Sequence, residues 1–296
     1  MKPIILIENS SEFDHLIEQL TRSQHVAVDT ESNSFHAYFE RICLIQVSTA
    51  EEDYIVDPLA LENLSPLGEI FAAPGIEKVF HAASNDILGL KRDYQFHFSN
   101  VFDTAIACKL LGCKQLGLAK ILEKHFGVLL SKKWQRCDWA KRPLRVEQLN
   151  YARLDTHYLI PLRHLMAADL AEKNQWERAV EAFEKACQQE VQEKIFLPEN
   201  FIQINGARSL DTTGRNILRA LYVFREHEAR RRDRAPFRVL SNEILFQLAR
   251  HRPRSTRDFA GIKGLPRSFR KGRAANGLLE LIRRAERNHE EVQAMQ

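Results

Sequence analysis

The stretch His25-Val-Ala-Val-Asp-Thr-Glu31 sets the fold question, because an apolar run ends in two acids. Strand geometry repeats every two residues, so Asp29 and Glu31 share one face of the same strand. Two carboxylates held side by side repel and raise one another's pKa, and a divalent cation turns that repulsion into a binding site. Taken alone, this D-x-E is equally compatible with two solvated acids at a strand end. Around it, Arg41–Thr49 and Asp53–Asp57 also have strand character, and the short polar links that separate these stretches predict an antiparallel meander. Before it, a short apolar run, Ile4 to Ile7, precedes Phe13, Leu16, Ile17 and Leu20 at helical spacing, with Ser10 or Ser11 as the expected N-cap.

Beyond Pro58 the pattern alternates. It predicts a helix over Leu61–Phe71, a strand over Lys78–Ala82, a helix over Asn85–Asp93, a short strand near Val101 and a helix over Thr104–Leu111. A meander followed by alternating strands and helices implies an α/β domain with a mixed sheet. Residues 117–170 are mainly helical around a polar interruption, Ser131–Pro143. Trp176, Val180, Phe183, Cys187, Val191 and Ile195 predict one connecting helix ending at Pro198. A helical unit then runs from about Ala207 to Arg287, broken near Pro236, Pro253 and Gly261–Pro266.

With 296 residues, 44% hydrophobic and only 12 Gly and 10 Pro, the chain has enough apolar material for two cores. Four apolar positions at the start are too few for a signal-peptide core, and a cytoplasmic setting without membrane insertion is expected. Five cysteines without a C-x-x-C pair suggest neither disulfides nor zinc. The net charge of +4 conceals a division: residues 1–206 hold 22 Lys and Arg against 29 Asp and Glu, whereas 207–296 hold 21 against 10. A basic helical unit fits a polyanion, because clustered cations gain affinity by releasing phosphate counterions; a solvated charged face is the plainer alternative.

Two further elements carry acids. In Asn150-Tyr-Ala-Arg-Leu-Asp155, Tyr151 and Asp155 lie at i and i+4 of a predicted helix, so a phenol and a carboxylate address one spot. In Lys78-Val-Phe-His-Ala-Ala-Ser-Asn-Asp86, a strand passes into a helix with Asp86 in its first turn, where a favourable helix-dipole charge would also explain it. Asp103 is assigned as a helix N-cap, and His81 as a packed, hydrogen-bonded histidine.

Taken together, and in this order, these residues resemble the DEDD superfamily of exonucleases with tyrosine in the third motif, and most closely the ribonuclease D family. Further matching stretches are Tyr38-Phe-Glu-Arg-Ile-Cys-Leu-Ile-Gln46, Asp103-Thr104, Gly117-Leu-Ala-Lys120 and Cys137-Asp-Trp-Ala-Lys-Arg-Pro-Leu144 with Gln148. Cys137 stands where the family commonly has Ser, and Asn85 where a glutamate is frequent. The resemblance implies a ribonuclease H-like mixed sheet with flanking helices and a 3′→5′ exoribonuclease acting on RNA 3′ ends, such as tRNA precursors. It further implies two divalent ions, Mg²⁺ or Mn²⁺, held by Asp29, Glu31, Asp86 and Asp155, and an attacking water oriented by Tyr151. Leu218–Glu226, Ala229–Pro236 and Gly261–Leu265 resemble the HRDC domain, a small helical nucleic-acid-binding module. The expected division is therefore 1–170 exonuclease domain, 171–206 connecting helix and linker, 207–288 HRDC domain and 289–296 tail.

Expected RNA contacts are Phe35, His36 and Tyr38 beside the acids, with Lys132, Lys133 and Arg142 on phosphates. In the helical unit they are Arg230, Arg231, Arg232, Lys263, Arg267, Arg270 and Lys271. Two competing functions remain at this point: a 3′→5′ DNA exonuclease, because no motif reports a 2′-hydroxyl, and a non-catalytic nucleic-acid-binding scaffold. No protein partner is legible in the sequence.

Overall fold

A computed structural model describes residues 2–294, with side chains through residue 287. The expected tail, 289–296, falls outside the residues whose side chains are described. The chain divides into two units, residues up to 35 together with 40–192, and residues 36–39 together with those from 193 on.

The first unit is built on β1 (Ile5–Ile7), α1 (Ser10–Thr21), β2 (His25–Ser32), β3 (Ile42–Ser48), β4 (Asp53–Val56), α2 (Ser65–Ala72), β5 (Glu77–Phe80), α3 (Ser84–Tyr94), β6 (Val101–Asp103) and α4 (Thr104–Leu110). There follow α5 (Leu118–Phe126), α6 (Val146–His157), α7 (Leu159–Glu172) and α8 (Trp176–Cys187). Six strands form one sheet in the order β1-β4-β3-β2-β5-β6. The meander β2-β3-β4 is antiparallel, while β1 joins β4, β5 joins β2 and β6 joins β5 in parallel, which makes the sheet mixed as expected.

Alternation along β2 decides which side carries the acids. Val26 and Val28 enter a core shared with Leu16 and Leu20 of α1, Phe71 of α2 and Leu90 of α3. Ala27 enters the opposite core, with Phe102, Leu162 and Phe183. Asp29 and Glu31 therefore fall on Ala27's side of the sheet. Here α6 packs across β2, β3 and β4. Because β2 and β5 run parallel, their C-terminal ends lie together, and α3 starts beside the end of β2.

Three boundaries differ from the sequence reading. Asn9 caps α1 in place of Ser10 or Ser11, its Oδ1 accepting the Glu12 amide at 3.0 Å. Asn, Asp and Ser cap comparably, so composition does not choose between neighbours. Helix α2 begins at Ser65, next to Pro66, instead of Leu61. Helix α8 ends at Cys187 instead of Ile195; Val191 and Ile195 are exposed, so no core face supports a longer helix.

The second unit contains α9 (Thr212–Arg231), α10 (Pro236–Val239), α11 (Asn242–His251) and α12 (Gly272–Ala294), joined by short 3₁₀ turns. Its core gathers Leu218, Leu221, Leu245, Leu248, Phe259, Phe269 and Leu278. Asp211 and Ser241 cap α9 and α11. Arg225 Nη1 donates to Asn242 Oδ1 at 2.7 Å, tying α9 to α11. Among the described residues, no helix is long and apolar enough to cross a membrane.

Candidate active site

Asp29, Glu31 and Asp155 are half-buried and Asp86 is buried; Asp86 raises the pKa of each of the other three, and Asp155 raises those of Asp29 and Glu31, so the four occupy one neighbourhood. Each is placed by a different constraint. Asp29 and Glu31 project from the end of β2, with a break in register between Glu31 and Ser32 that bends the strand beyond them. Asp86 sits in the first turn of α3, and its Oδ1 accepts Thr30 N–H at 3.1 Å and the Thr30 hydroxyl at 2.6 Å. Asp155 comes from α6. That helix is fixed to the sheet where Ser48 and Thr156 hydroxyls meet at 2.7 Å and His157 Nδ1 lies 2.8 Å from Asp53.

Tyr151, one turn before Asp155, stacks on the fully buried Trp139 at 6.1 Å between ring centroids and 28° between planes. Gln148 ties the start of α6 to the same loop: its Oε1 accepts the Arg145 amide at 3.1 Å and its Nε2 donates to Cys137 Sγ at 3.2 Å. A serine hydroxyl would accept the same bond, which explains why Cys137 is tolerated there.

Burial is the largest cause of the shifted acidities, followed by repulsion among the acids. Asp29 is pushed well up by burial, then by Asp86, Asp155 and Glu31. Glu31 rises to about 9 by burial, then by Asp155 and Asp86. Asp155 rises to about 7 by burial and Asp86. Asp86 reaches only about 6, because the Thr30 hydrogen bonds stabilise its charged form against burial. The Tyr151 phenol is pushed far up by burial, then by Asp155, Glu31 and Asp29.

This donor set fits hard divalent cations, since it is all oxygen and its charge is unbalanced. Gln46 adds a second observation: it faces Asp29 across the β2–β3 pair, is fully buried, and neither amide atom has a hydrogen-bond partner. An orphaned amide beside a carboxylate cluster suits a site that gains further polar atoms. Among the described residues, no three His, Cys, Asp or Glu side chains are drawn close enough to form a ready-made cage, consistent with uncompensated carboxylates repelling one another.

The shifts give a pH prediction. An acid whose folded pKa lies above its unfolded value loses stability as pH rises between the two. For Asp155 that window runs from 3.8 to about 7, and for Glu31 from 4.5 to about 9. Chelated protein should therefore melt roughly 5 °C or more higher near pH 5.5 than near pH 8, and saturating Mn²⁺ should remove that contribution. Half-buried His25 and His81, whose pKa values are lowered by desolvation, pull the other way and are common to both conditions. The difference between melting curves with and without the ion isolates the acids; identical pH slopes would refute the assignment.

A cavity of about 150 Å³ beside the acids is lined by Thr30, Glu31, Phe35, Asn85, Asp86 and Gln135. Phe35 is 40% exposed and lies under the Arg136 guanidinium at 5.4 Å. His36 and Tyr38 instead belong to the second unit: Tyr38 Oη donates to Glu226 at 2.5 Å, and His36 Nε2 lies 3.2 Å from Arg238.

Arg142 requires a correction as a phosphate contact. Its Nε and Nη2 bind Asp57 at 2.5 and 2.7 Å, and its remaining donors reach the carbonyls of Cys43, Trp139 and Lys141. All five guanidinium N–H groups are thereby used inside the fold. Removing Arg142 would strand the buried Asp57, at a cost of about 3–5 kcal/mol. Lys132 and Lys133 are exposed, Lys133 lying over the Trp134 ring at 4.9 Å.

In the second unit, Arg231 and Arg232 both pair with Glu228, and Arg230 is exposed. Lys263, Arg267, Arg270 and Lys271 are exposed as well, and Arg270 Nε donates to the Leu265 carbonyl at 2.9 Å. Thr30, Gln46, Trp139 and Gln148 received no individual role from the sequence. The last three lie within the stretches that carry the family resemblance, but nothing in local periodicity singles them out.

A mixed sheet with α6 across it and acids gathered at the strand ends defines the class: an α/β nuclease-type domain, here followed by a helical module. Residues 4–171 match the 3′–5′ exonuclease family and residues 215–282 match the HRDC domain. The chain belongs to the 3′–5′ exonuclease family. It is 32% identical to the exosome complex exonuclease RRP6 of Saccharomyces cerevisiae over 96% of this chain and 41% of that protein. The catalytic core of RRP6 from Trypanosoma brucei superposes with a TM-score of 0.86 at 26% identity, covering 96% of this chain and 79% of the other. Escherichia coli RNase D, an exoribonuclease involved in structured RNA processing, superposes at 0.70 with 28% identity over 96% and 76%. The chain spans less than half the length of the curated relatives it matches.

Proposed function

We propose that this protein is a metal-dependent 3′→5′ exoribonuclease that trims the 3′ ends of structured RNA, tRNA precursors among them, by a two-metal-ion mechanism. The observation that carries the reading is the gathering of Asp29, Glu31, Asp86 and Asp155, with Tyr151 beside three of them and the pKa values of Asp29, Glu31 and Asp155 raised by burial and by neighbouring acids. Membership of the exonuclease family supports the activity, and the involvement of the Escherichia coli relative in structured RNA processing supports the substrate class.

When bound, a pair of Mg²⁺ or Mn²⁺ ions would supply charge neutralisation and activation of water. Asp29, Glu31, Asp86 and Asp155 would hold the ions between them. Burial and the neighbouring acids push the Tyr151 phenol far up, so its role is to orient the attacking water by hydrogen bond and not to act as a base. Phe35, at the cavity wall, offers an aromatic face to the terminal base. We read residues 1–170 as the catalytic unit, 171–206 as the connector and 207–288 as a basic module, whose Arg230, Lys263, Arg267 and Lys271 hold RNA phosphates behind the cleaved end.

The test uses one sequence as RNA and as DNA, labelled at either end, with Mg²⁺, Mn²⁺ or EDTA. The expected result is a descending ladder from 5′-labelled RNA, immediate release of labelled mononucleotide from 3′-labelled RNA, slower DNA loss, and no products in EDTA. Reversed label behaviour would refute the direction, preferred DNA cleavage would select the DNA-exonuclease alternative, and full activity in EDTA would refute the metal requirement.

A further inference from the structure

The turn that delivers Asp86 is held from outside its own helix. Helix α3 starts at Ser84, and its N-cap residue, Ala83, contributes no side-chain cap. The preceding residue, Ala82, adopts φ of 59°, a left-handed conformation that a side chain disfavours. Both amides are taken up by Asp103 at the end of β6: Oδ1 accepts Ala82 N–H at 3.0 Å and Oδ2 accepts Ala83 N–H at 2.9 Å. The same Oδ1 caps α4, accepting Ala105 and Ile106 N–H at 2.8 and 3.2 Å.

Next to it, the Thr104 hydroxyl donates to the Phe80 carbonyl at 3.0 Å, and His81 Nδ1 lies 2.8 Å from that hydroxyl. With the hydroxyl proton committed to Phe80, His81 Nδ1 is the donor of this bond. Asp103 and Thr104 thus clamp residues 80–83 from a neighbouring parallel strand, and Asp103 is only 3% exposed.

We propose that Asp103 is a positioning residue of the nuclease site, fixing the strained turn so that Asp86 meets Thr30 and the acids of β2. The inference rests on the metal-nuclease reading. A carboxylate is required because it accepts four N–H groups with two oxygens; an amide would present an NH₂ group to one of these donors. N-capping of α4 alone would leave Asp86 untouched, whereas the Ala82 and Ala83 bonds act directly on the peptide units that lead into α3.

The experiment compares wild type, Asp103→Asn, Asp86→Asn and the double variant, first checking fold by circular dichroism and melting. Mn²⁺ affinity is then measured by calorimetry, and turnover on 5′-labelled RNA. Asp103→Asn should weaken Mn²⁺ binding and slow turnover by about 10–100-fold, the usual scale for removing support behind a ligand. In the Asp86→Asn background it should add less than about twofold, because its effect runs through that side chain. Adding Ala82→Gly to Asp103→Asn should recover part of the lost affinity, since glycine accepts the left-handed turn without a clamp.

A folded Asp103→Asn with unchanged Mn²⁺ affinity, or one equally damaging with and without Asp86, would overturn the positioning role. If Asp103→Asn does not fold, Thr104→Val, which removes the bonds to the Phe80 carbonyl and to His81 and leaves those of Asp103, carries the same cycle: coupling with Asp86→Asn supports the clamp and additivity refutes it. Wild type without Mn²⁺-dependent 3′→5′ degradation would instead refute the nuclease reading itself.

Discussion

Asp155→Asn is expected to reduce turnover by about 10³-fold or more while leaving the melting temperature of the chelated protein unchanged or higher. Loss of one ligand removes several kcal/mol of charge stabilisation, and about 4 kcal/mol corresponds to about 10³-fold in rate. Stability moves the other way because Asp155 is a liability without a counter-ion, its carboxyl pushed up to about 7 by burial and by Asp86. An amide of the same shape relieves that repulsion. Fold is not at risk, since α6 is anchored elsewhere, through Ser48 and Thr156, His157 and Asp53, and Arg153 to the Lys2 carbonyl. Single-turnover rates on 5′-labelled RNA, with melting curves in EDTA, measure both. A variant retaining more than a few per cent of wild-type rate would remove Asp155 from the metal site.

The two halves of that prediction had different visibility in the sequence. Strand alternation alone put Asp29 and Glu31 on one face, and helical spacing alone put Tyr151 and Asp155 together, because both rules concern neighbours along one element. Convergence of the pairs depends on sheet order and on α6 crossing β2 and β3, which local periodicity does not encode. Only the combined motif order pointed to it. The supporting residues were less legible still. Thr30 is one of several polar residues after β2's apolar run, Trp139 looks like any core aromatic, and Asp103 reads correctly as an N-cap while its bonds to Ala82 and Ala83 stay hidden.

Arg142 illustrates the opposite failure, for a basic residue next to a predicted site looks like a phosphate contact until Asp57 is seen to occupy its fork. His36 and Tyr38 were expected beside the acids from their closeness to Glu31 along the chain; residues 36–39 group with the second unit, bonding through side chains and backbone to Glu226, Asp233 and Ala235.

Tyr151→Phe separates geometry from metal binding more sharply than any change to an acid. Its ring is held by Trp139 and the surrounding apolar cluster, which also contains Leu44, Ile55 and Ala152, and phenylalanine keeps every one of those contacts. Only the hydroxyl is lost. Because burial and three neighbouring carboxylates keep that hydroxyl protonated, its contribution is orientation of the attacking water. Misorientation on this scale is worth about 10²-fold in kcat, so turnover should fall by about that factor, with Mn²⁺ affinity and KM within about twofold of wild type. The pH–rate profile should keep its shape, since a group that does not titrate cannot contribute a limb to it. Calorimetry showing lost Mn²⁺ affinity, or a profile that loses its alkaline or acidic limb, would mean that the phenol is a ligand or a proton carrier and that the water is oriented by another group.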